Sequence, residues 1–329
     1  MREELKDGHG RRIEYLRVSV TDRCNLKCAY CMPPGGVELS PRCDMLRFKD
    51  LIRLIGIFGK VGVRKVRLTG GEPLIRKGIV GFIRQVNKIP GIEQIALTTN
   101  GQLLNRMAGN LKEAGVKRVN ISLDSLQKER FQSITGHDGL TATLEGIDAV
   151  IKAGVKSVKI NMVVIKGVND DEVEAFADMS RRRALQIRFI EFMPATPEVW
   201  DESRLALMSD VKKRVERIGK LIPCEKSQWG GPAEIYRFKG AVGEVGFISA
   251  VSHHFCAECN RLRLTSTGEL LTCLFGDNNL DLKSMLARDA SGDEIEAAIK
   301  ASLKHKNKVR DMAIKQGGNL RRVMTCVGG

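Results

Sequence analysis

Aromatic side chains are scarce, at 5% of the chain. Surfaces that hold single-stranded nucleic acid stack bases on aromatic rings, so the composition is thin for that task. Long apolar runs are also missing: nothing approaches the roughly 20 consecutive apolar residues of a membrane-spanning helix. Met1 to Arg12 is charged, without the apolar segment of a signal peptide. The expectation is a cytoplasmic protein with neither a membrane nor nucleic acid as partner. No G-x-G-x-x-G opens a helix, so the usual dinucleotide fingerprint is absent, and there is no internal repeat or low-complexity segment. Acidic residues are outnumbered, 39 Asp and Glu against 54 Lys and Arg, for a formal charge of +15. That balance attracts polyanions, nucleoside triphosphates among them. The runs 181–183, 212–214 and 304–306 read as solvated helix faces. With 43% hydrophobic residues in 329, there is material for one large domain and a smaller one.

Nine cysteines are present, at 24, 28, 31, 43, 224, 256, 259, 273 and 326. In a reducing compartment such usage points to metal rather than disulfides. Six fall into two groups of three; Cys43, Cys224 and Cys326 read as small buried or surface residues. Cys24, Cys28 and Cys31 stand in a polar loop after the apolar run Tyr15 to Val20. A 4Fe–4S cluster wants one ligand per iron, so three thiolates leave one iron open to chelation by an added ligand such as S-adenosylmethionine. Zinc usually takes four protein ligands, often from paired C-x2-C units, and a lone C-x3-C-x2-C fits that poorly. Cys256, Cys259 and Cys273 suggest a second such cluster, with zinc completed by His253 or His254 as the alternative. Arg261 and Arg263 follow Cys259 and share one face of a predicted strand. Two guanidiniums beside an open iron make a triphosphate clamp.

Hydrophobic periodicity predicts six strand–helix units. The strands are Tyr15–Val20, Lys65–Thr69, Glu93–Thr99, Arg118–Leu123, Ser157–Val164 and Gln186–Glu191. The helices are centred on Leu51–Phe58, Ile79–Lys88, Leu103–Ala114, Ala142–Ala153 and Val173–Arg183, with Gly115 and Gly154 as helix stops and Asn169 as a cap. Short apolar strands alternating with helices imply parallel pairing, and six units are too few to close an eightfold barrel. After Met193 the pattern changes. A helix over Ser209–Ile218 and short strands Glu234–Phe238 and Glu244–Ile248 lead to a boundary near 225, dividing the chain into 1–225 and 226–329. Arg17, Arg67 and Lys159 lie inside strands. A cation within an apolar strand is costly unless it faces a partner or a wet cavity, so the three suggest an anion inside the barrel; salt bridges to strand carboxylates are the alternative. Thr98, at a strand end, can join them as a hydroxyl donor.

The cysteine loop, with the aromatic Tyr30 before its last cysteine, resembles the signature of the radical SAM superfamily. Gly70-Gly71-Glu72-Pro73 after the second strand is similar to that superfamily's GGEP motif, where Gly71 would hold the amino group of S-adenosylmethionine. The resemblance implies an incomplete (βα)6 TIM-like barrel with its cluster at the C-terminal mouth, and a smaller C-terminal α+β domain. It also implies that Tyr30, Gly71, Ser122 and Met193 contact S-adenosylmethionine. Two separated cysteine groups, Arg-x-Arg after the second, and the terminal Gly328-Gly329 together resemble the GTP 3′,8-cyclase (MoaA) family of molybdenum cofactor biosynthesis, over about Tyr15 to Gly329. Cys326 departs from the pattern, standing where an aromatic is common. The implied enzyme is a lyase with two 4Fe–4S clusters and S-adenosylmethionine. Arg17, Arg67, Thr98, Lys159, Arg261 and Arg263 would hold GTP. Arg17, Gly328 and Gly329 would be catalytic. A 5′-deoxyadenosyl radical would remove hydrogen from C3′ of the ribose, and C3′ would then attack guanine C8. Implied partners are an electron donor such as flavodoxin or ferredoxin and a downstream cyclic pyranopterin synthase (MoaC), with the chain a monomer or homodimer. A radical SAM peptide-modifying enzyme and a non-enzymatic iron–sulfur protein are the rival readings.

Overall fold

The structure is a computed structural model. It describes residues 4–33, 35–36, 39–194, 196, 198–225, 230–253, 255–276, 279–304, 306 and 324. Among the described residues twelve strands run in chain order. They are β1 (Tyr15–Ser19), β2 (Lys65–Thr69), β3 (Gln94–Thr99), β4 (Val116–Ser122), β5 (Ser157–Val164), β6 (Leu185–Glu191), β7 (Leu221–Pro223), β8 (Glu234–Phe238), β9 (Glu244–Ile248), β10 (Arg261–Leu264), β11 (Glu269–Leu271) and β12 (Asn279–Asp281). The helices are α1 (Phe48–Lys60), α2 (Ile79–Val86), α3 (Leu104–Glu113), α4 (Lys128–Thr135), α5 (Leu140–Lys152), α6 (Val173–Arg182), α7 (Met208–Arg217), α8 (Leu282–Ala287) and α9 (Gly292–Leu303).

The six predicted strand–helix units are present. One face of each strand carries the core. Leu16 and Val18, Val66 and Leu68, Ile95 and Leu97, Val119 and Ile121 are buried in a cluster with Leu51, Leu54, Ile55 and Phe58 of α1. The intervening residues, Arg17, Arg67, Asn120, Lys159 and Arg188, alternate with these and line a cavity. Parallel strands covered by helices on both faces are usually apolar throughout. A period-two pattern here means helices on one face and a wet interior on the other.

The sheet order is β12-β11-β10-β1-β2-β3-β4-β5-β6-β9-β8-β7. Strands β10, β1 to β6 and β9 are all parallel, while β11, β12, β8 and β7 add antiparallel edges. The strands after 225 therefore extend the sheet at both ends rather than forming a sheet of their own. They pair with β1 on one side and β6 on the other, which draws the second cysteine group towards the barrel interior. Helix α4 was not expected from the sequence. Asn169 differs too: it makes no side-chain cap. Its amide accepts from the Ile165 N–H at 2.8 Å and donates to the Asp124 and Val163 carbonyls at 2.8 and 2.9 Å, bracing the ends of β4 and β5.

Candidate active site

The first cysteine loop leaves β1. N–H groups of Cys31 and Met32 donate to the Cys28 carbonyl at 2.9 and 3.0 Å, and those of Lys27 and Ala29 donate to the last turn of α4. The opposite wall is the turn after β2. A Cβ on Gly70 would lie 2.3 Å from the Thr21 carbonyl oxygen, and one on Gly71 would lie 2.2 Å from that of Arg23. Only glycine permits this approach. The Gly71 and Glu72 N–H groups bond to the Thr21 and Arg23 carbonyls, both at 2.8 Å. The Glu72 carboxylate then accepts from Leu74 N–H, Thr99 Oγ1 and Asn100 N–H at 2.7–2.9 Å. Burial lifts Glu72 to about 7 against these bonds. The GGEP turn thus locks the cysteine loop to the ends of β1, β2 and β3. The Tyr30 hydroxyl donates to Asp124 at 2.6 Å.

Cys24, Cys28 and Cys31 line one cavity with Gly71, Thr98 and Ser122. Burial raises all three thiols, Cys31 to about 12. A thiolate there needs a compensating cation, which a bound iron cluster provides. Cys256, Cys259 and Cys273 line a second cavity. For Cys259, burial acts upward, but Arg261 and Lys306 outweigh it and bring the thiol down to about 6. Lys306 Nζ stands 4.0 Å from Cys259 Sγ and 3.1 Å from the Arg261 carbonyl, while Arg11 donates to the Cys256 carbonyl. Among the described residues no three His, Cys, Asp or Glu side chains are gathered as around a single metal ion. His253 is exposed and lines neither cavity; His254 lies outside the described residues. Three thiols in a cavity whose described lining holds no His and no fourth Cys suit a cluster that leaves one iron open better than a closed four-ligand zinc site.

The second cavity is strongly basic. Arg17, Lys65, Arg67, Arg118, Lys159, Arg188, Arg261 and Arg263 all line it, and among its described lining residues there is no Asp or Glu. Among the described lining residues, then, no carboxylate supports the salt-bridge alternative for the strand cations. Neutral acceptors take their place. Gln186 Oε1 accepts from Lys159 Nζ and Arg188 Nε, both at 2.7 Å. Thr98 Oγ1 accepts from Arg67 at 3.1 Å, and the Tyr15 hydroxyl accepts from Arg67 Nε. Burial and crowding of like charge bring Arg17 to about 10 and Arg188 to about 9. Arg261 stacks on Phe255, 4.7 Å from its centroid.

Among residues expected to contact S-adenosylmethionine, Tyr30, Gly71 and Ser122 line the first cavity, whereas Met193 lines the basic one. Met324 lines both, joining them. Gly328, Gly329 and Cys326 lie outside the described residues. Sequence reasoning passed over Lys65, Arg118, Arg188, Asn120 and Asn161. Their signal was present: each stands two residues from another inward polar residue on its strand.

An open parallel barrel with three thiols on the loop after its first strand has the architecture of a radical SAM enzyme. The sequence profile of the Radical SAM superfamily matches residues 18–180, and that of Molybdenum Cofactor Synthesis C matches 185–312. A GTP 3′,8-cyclase from Pelotomaculum thermopropionicum is 45% identical over 99% of this chain and 100% of that protein. One from Thermodesulfovibrio yellowstonii is 47% identical over 90% and 92%. The chain belongs to the GTP 3′,8-cyclase family. Streptococcus suis SuiB bound to S-adenosylmethionine shares its fold, with a TM-score of 0.59 at 17% identity over 89% of this chain and 69% of that one.

Proposed function

We propose that this protein converts GTP to (8S)-3′,8-cyclo-7,8-dihydroguanosine 5′-triphosphate, using S-adenosylmethionine, in the first step of molybdenum cofactor biosynthesis. The observation that carries the substrate is the basic cavity, eight cationic side chains with no acidic lining residue among those described, in a chain whose full-length relatives are named GTP 3′,8-cyclases. Polyphosphate is the ligand class that offsets so much buried positive charge.

Cys24, Cys28 and Cys31 would hold a 4Fe–4S cluster, which when bound supplies the electron that splits S-adenosylmethionine into methionine and a 5′-deoxyadenosyl radical. Tyr30, Gly71 and Ser122 seat that cosubstrate, with Met193 reaching it from the neighbouring cavity. Cys256, Cys259 and Cys273 hold a second cluster at the guanine end. Arg17, Arg67, Lys159, Arg261 and Arg263 take the triphosphate, joined by Lys65, Arg118 and Arg188. Thr98 positions Arg67 between the two cavities. Gly328 and Gly329 complete the site, and Arg17 acts beside the reacting nucleotide. On this reading 1–225 is the core barrel and 226–329 the second-cluster and GTP-binding segment. The enzyme works in the cytoplasm, takes electrons from a flavodoxin or ferredoxin and hands its product to a cyclic pyranopterin synthase. The test is anaerobic reconstitution followed by incubation with GTP, S-adenosylmethionine and a reductant. Formation of the cyclised triphosphate with one methionine per turnover supports the reading; S-adenosylmethionine cleavage indifferent to GTP overturns it.

A further inference from the structure

Two amide side chains in the basic cavity carry an oxygen of the wrong polarity for a triphosphate. Asn120 on β4 and Asn161 on β5 both line it. The carbonyl oxygen Oδ1 of each is buried without a hydrogen-bond partner. A buried acceptor left unpaired is destabilising, and in a folded chain it calls for an explanation. Phosphate oxygens are acceptors and cannot relieve it, whereas a ligand's N–H or O–H can.

The ladder fixes their level. Asn120 stands opposite Thr98 on one side and Lys159 on the other, and Asn161 stands opposite Ser122 and Arg188. Thr98 and Ser122 line the cavity of the first three cysteines. Each asparagine therefore stands on its rung between a residue of that cavity, Thr98 or Ser122, and a cation, Lys159 or Arg188. Strands β4 and β5 also lie well along the sheet from β10, so Arg261 and the second cysteine group stand on another wall. Resting on the GTP reading above, a nucleotide with its base at the second cysteine group and its phosphates on the cations turns its sugar towards these rungs. The sugar's donors are its 2′- and 3′-hydroxyls.

We propose that Asn120 and Asn161 accept hydrogen bonds from the two ribose hydroxyls of GTP, presenting C3′ to the neighbouring cavity and making the site select ribonucleotides. A site built to pair a substrate hydroxyl rejects the analogue that lacks it, because its own acceptor is left unpaired.

The test is equilibrium binding of GTP, 2′-deoxy-GTP, 3′-deoxy-GTP and ITP to the anaerobically reconstituted full chain and to its Asn120→Ala and Asn161→Ala variants. Iron content and S-adenosylmethionine affinity serve as controls. If an alanine variant does not fold, Asn→Leu, of similar size and without an acceptor, replaces it. The wild type should prefer GTP over each deoxy analogue by about tenfold. Collapse of either preference towards unity in either variant, with the GTP-to-ITP ratio unchanged, supports the assignment. If both preferences persist in both variants, the assignment is overturned while the GTP reading stands. If the lost preference is that between GTP and ITP, the oxygens serve the guanine amino group and the ribose assignment is again overturned. If the wild type binds no GTP, the functional reading falls and takes this inference with it.

Discussion

GTP binding at pH 8 should take up protons. Lys159 is brought down to about 6 by burial and by Arg188, Arg118, Arg67 and Lys65 around it. Burial, with Arg67, Arg118 and Arg188, brings Lys65 down to about 7 against the opposing pull of Tyr15. Burial acts to raise the Tyr15 phenol, but Arg67, Arg17, Lys65 and Arg261 outweigh it and bring it to about 7. At pH 8 all three groups are therefore drawn towards their deprotonated forms. A polyanion reverses the local potential and favours the protonated form of all three. The sign follows: the bound-state values lie above the free-state values, so protons are taken up. Affinity is highest below the free-state values and falls as pH rises towards the bound-state ones. Each proton taken up makes affinity fall by about tenfold per pH unit, or about 1.4 kcal/mol. The expected uptake lies between about one and three protons, so Kd should rise at least about tenfold from pH 8 to pH 9. At pH 8 the terminal phosphate, with its second pKa near about 6, is already ionised and contributes nothing. Anaerobic calorimetry in two buffers of different ionisation heat gives the uptake directly, and Lys159→Met should remove about one proton of it. Zero uptake, or release, would refute the reasoning, because it would mean that the cations are charged and compensated before the nucleotide arrives.

Arg263→Ala should weaken GTP binding by about ten- to a hundredfold, the loss of a charge-assisted phosphate contact, with both clusters loaded and S-adenosylmethionine affinity unchanged; equal GTP affinity would remove Arg263 from the triphosphate site. Replacing Cys24, Cys28 and Cys31 together by alanine should lower iron from about eight to about four per chain and abolish S-adenosylmethionine cleavage. Gly71→Ala places a Cβ 2.2 Å from the Arg23 carbonyl oxygen and 2.9 Å from the Cys24 nitrogen. It should cost about 1–3 kcal/mol of stability and lose the first cluster's iron while keeping the second's, read by denaturation and iron analysis. Removing Gly328 and Gly329 should leave the melting temperature and iron content nearly unchanged while GTP conversion collapses; a truncated chain with normal turnover would remove the two glycines from the catalytic assignment.

The six strand–helix units were legible because each strand keeps its apolar residues on alternate positions, with helices covering that face. The same alternation exposed Arg17, Arg67 and Lys159 as inward cations, yet Lys65, Arg118 and Arg188 escaped notice. Lys65 and Arg118 stand near strand starts, where a charge passes for a solvated end, and Arg188 sits beside Gln186, where it passes for a surface pair. Sequence lists a charge but not the wall it faces. Strand β10 was legible as a strand but not by its place in the sheet, and β7, β11 and β12 were not legible at all. The three unread strands are three residues each, too short to show a period. The pairing of β10 with β1 sets Arg263 opposite Arg17, and that of β1 with β2 sets Arg17 opposite Arg67. Three guanidiniums on one rung repel one another, which opposes folding of the empty chain. The arrangement persists because the hydrophobic outer face of the same strands, buried in one core cluster with apolar residues of α1, α2 and α3, outweighs it. A ligand that neutralises the rung binds the folded chain alone, so it should add to stability in proportion to the logarithm of its concentration over its dissociation constant. GTP should therefore raise the melting temperature of the wild type, and raise it less in Arg263→Ala, where both the repulsion and the phosphate contact are reduced.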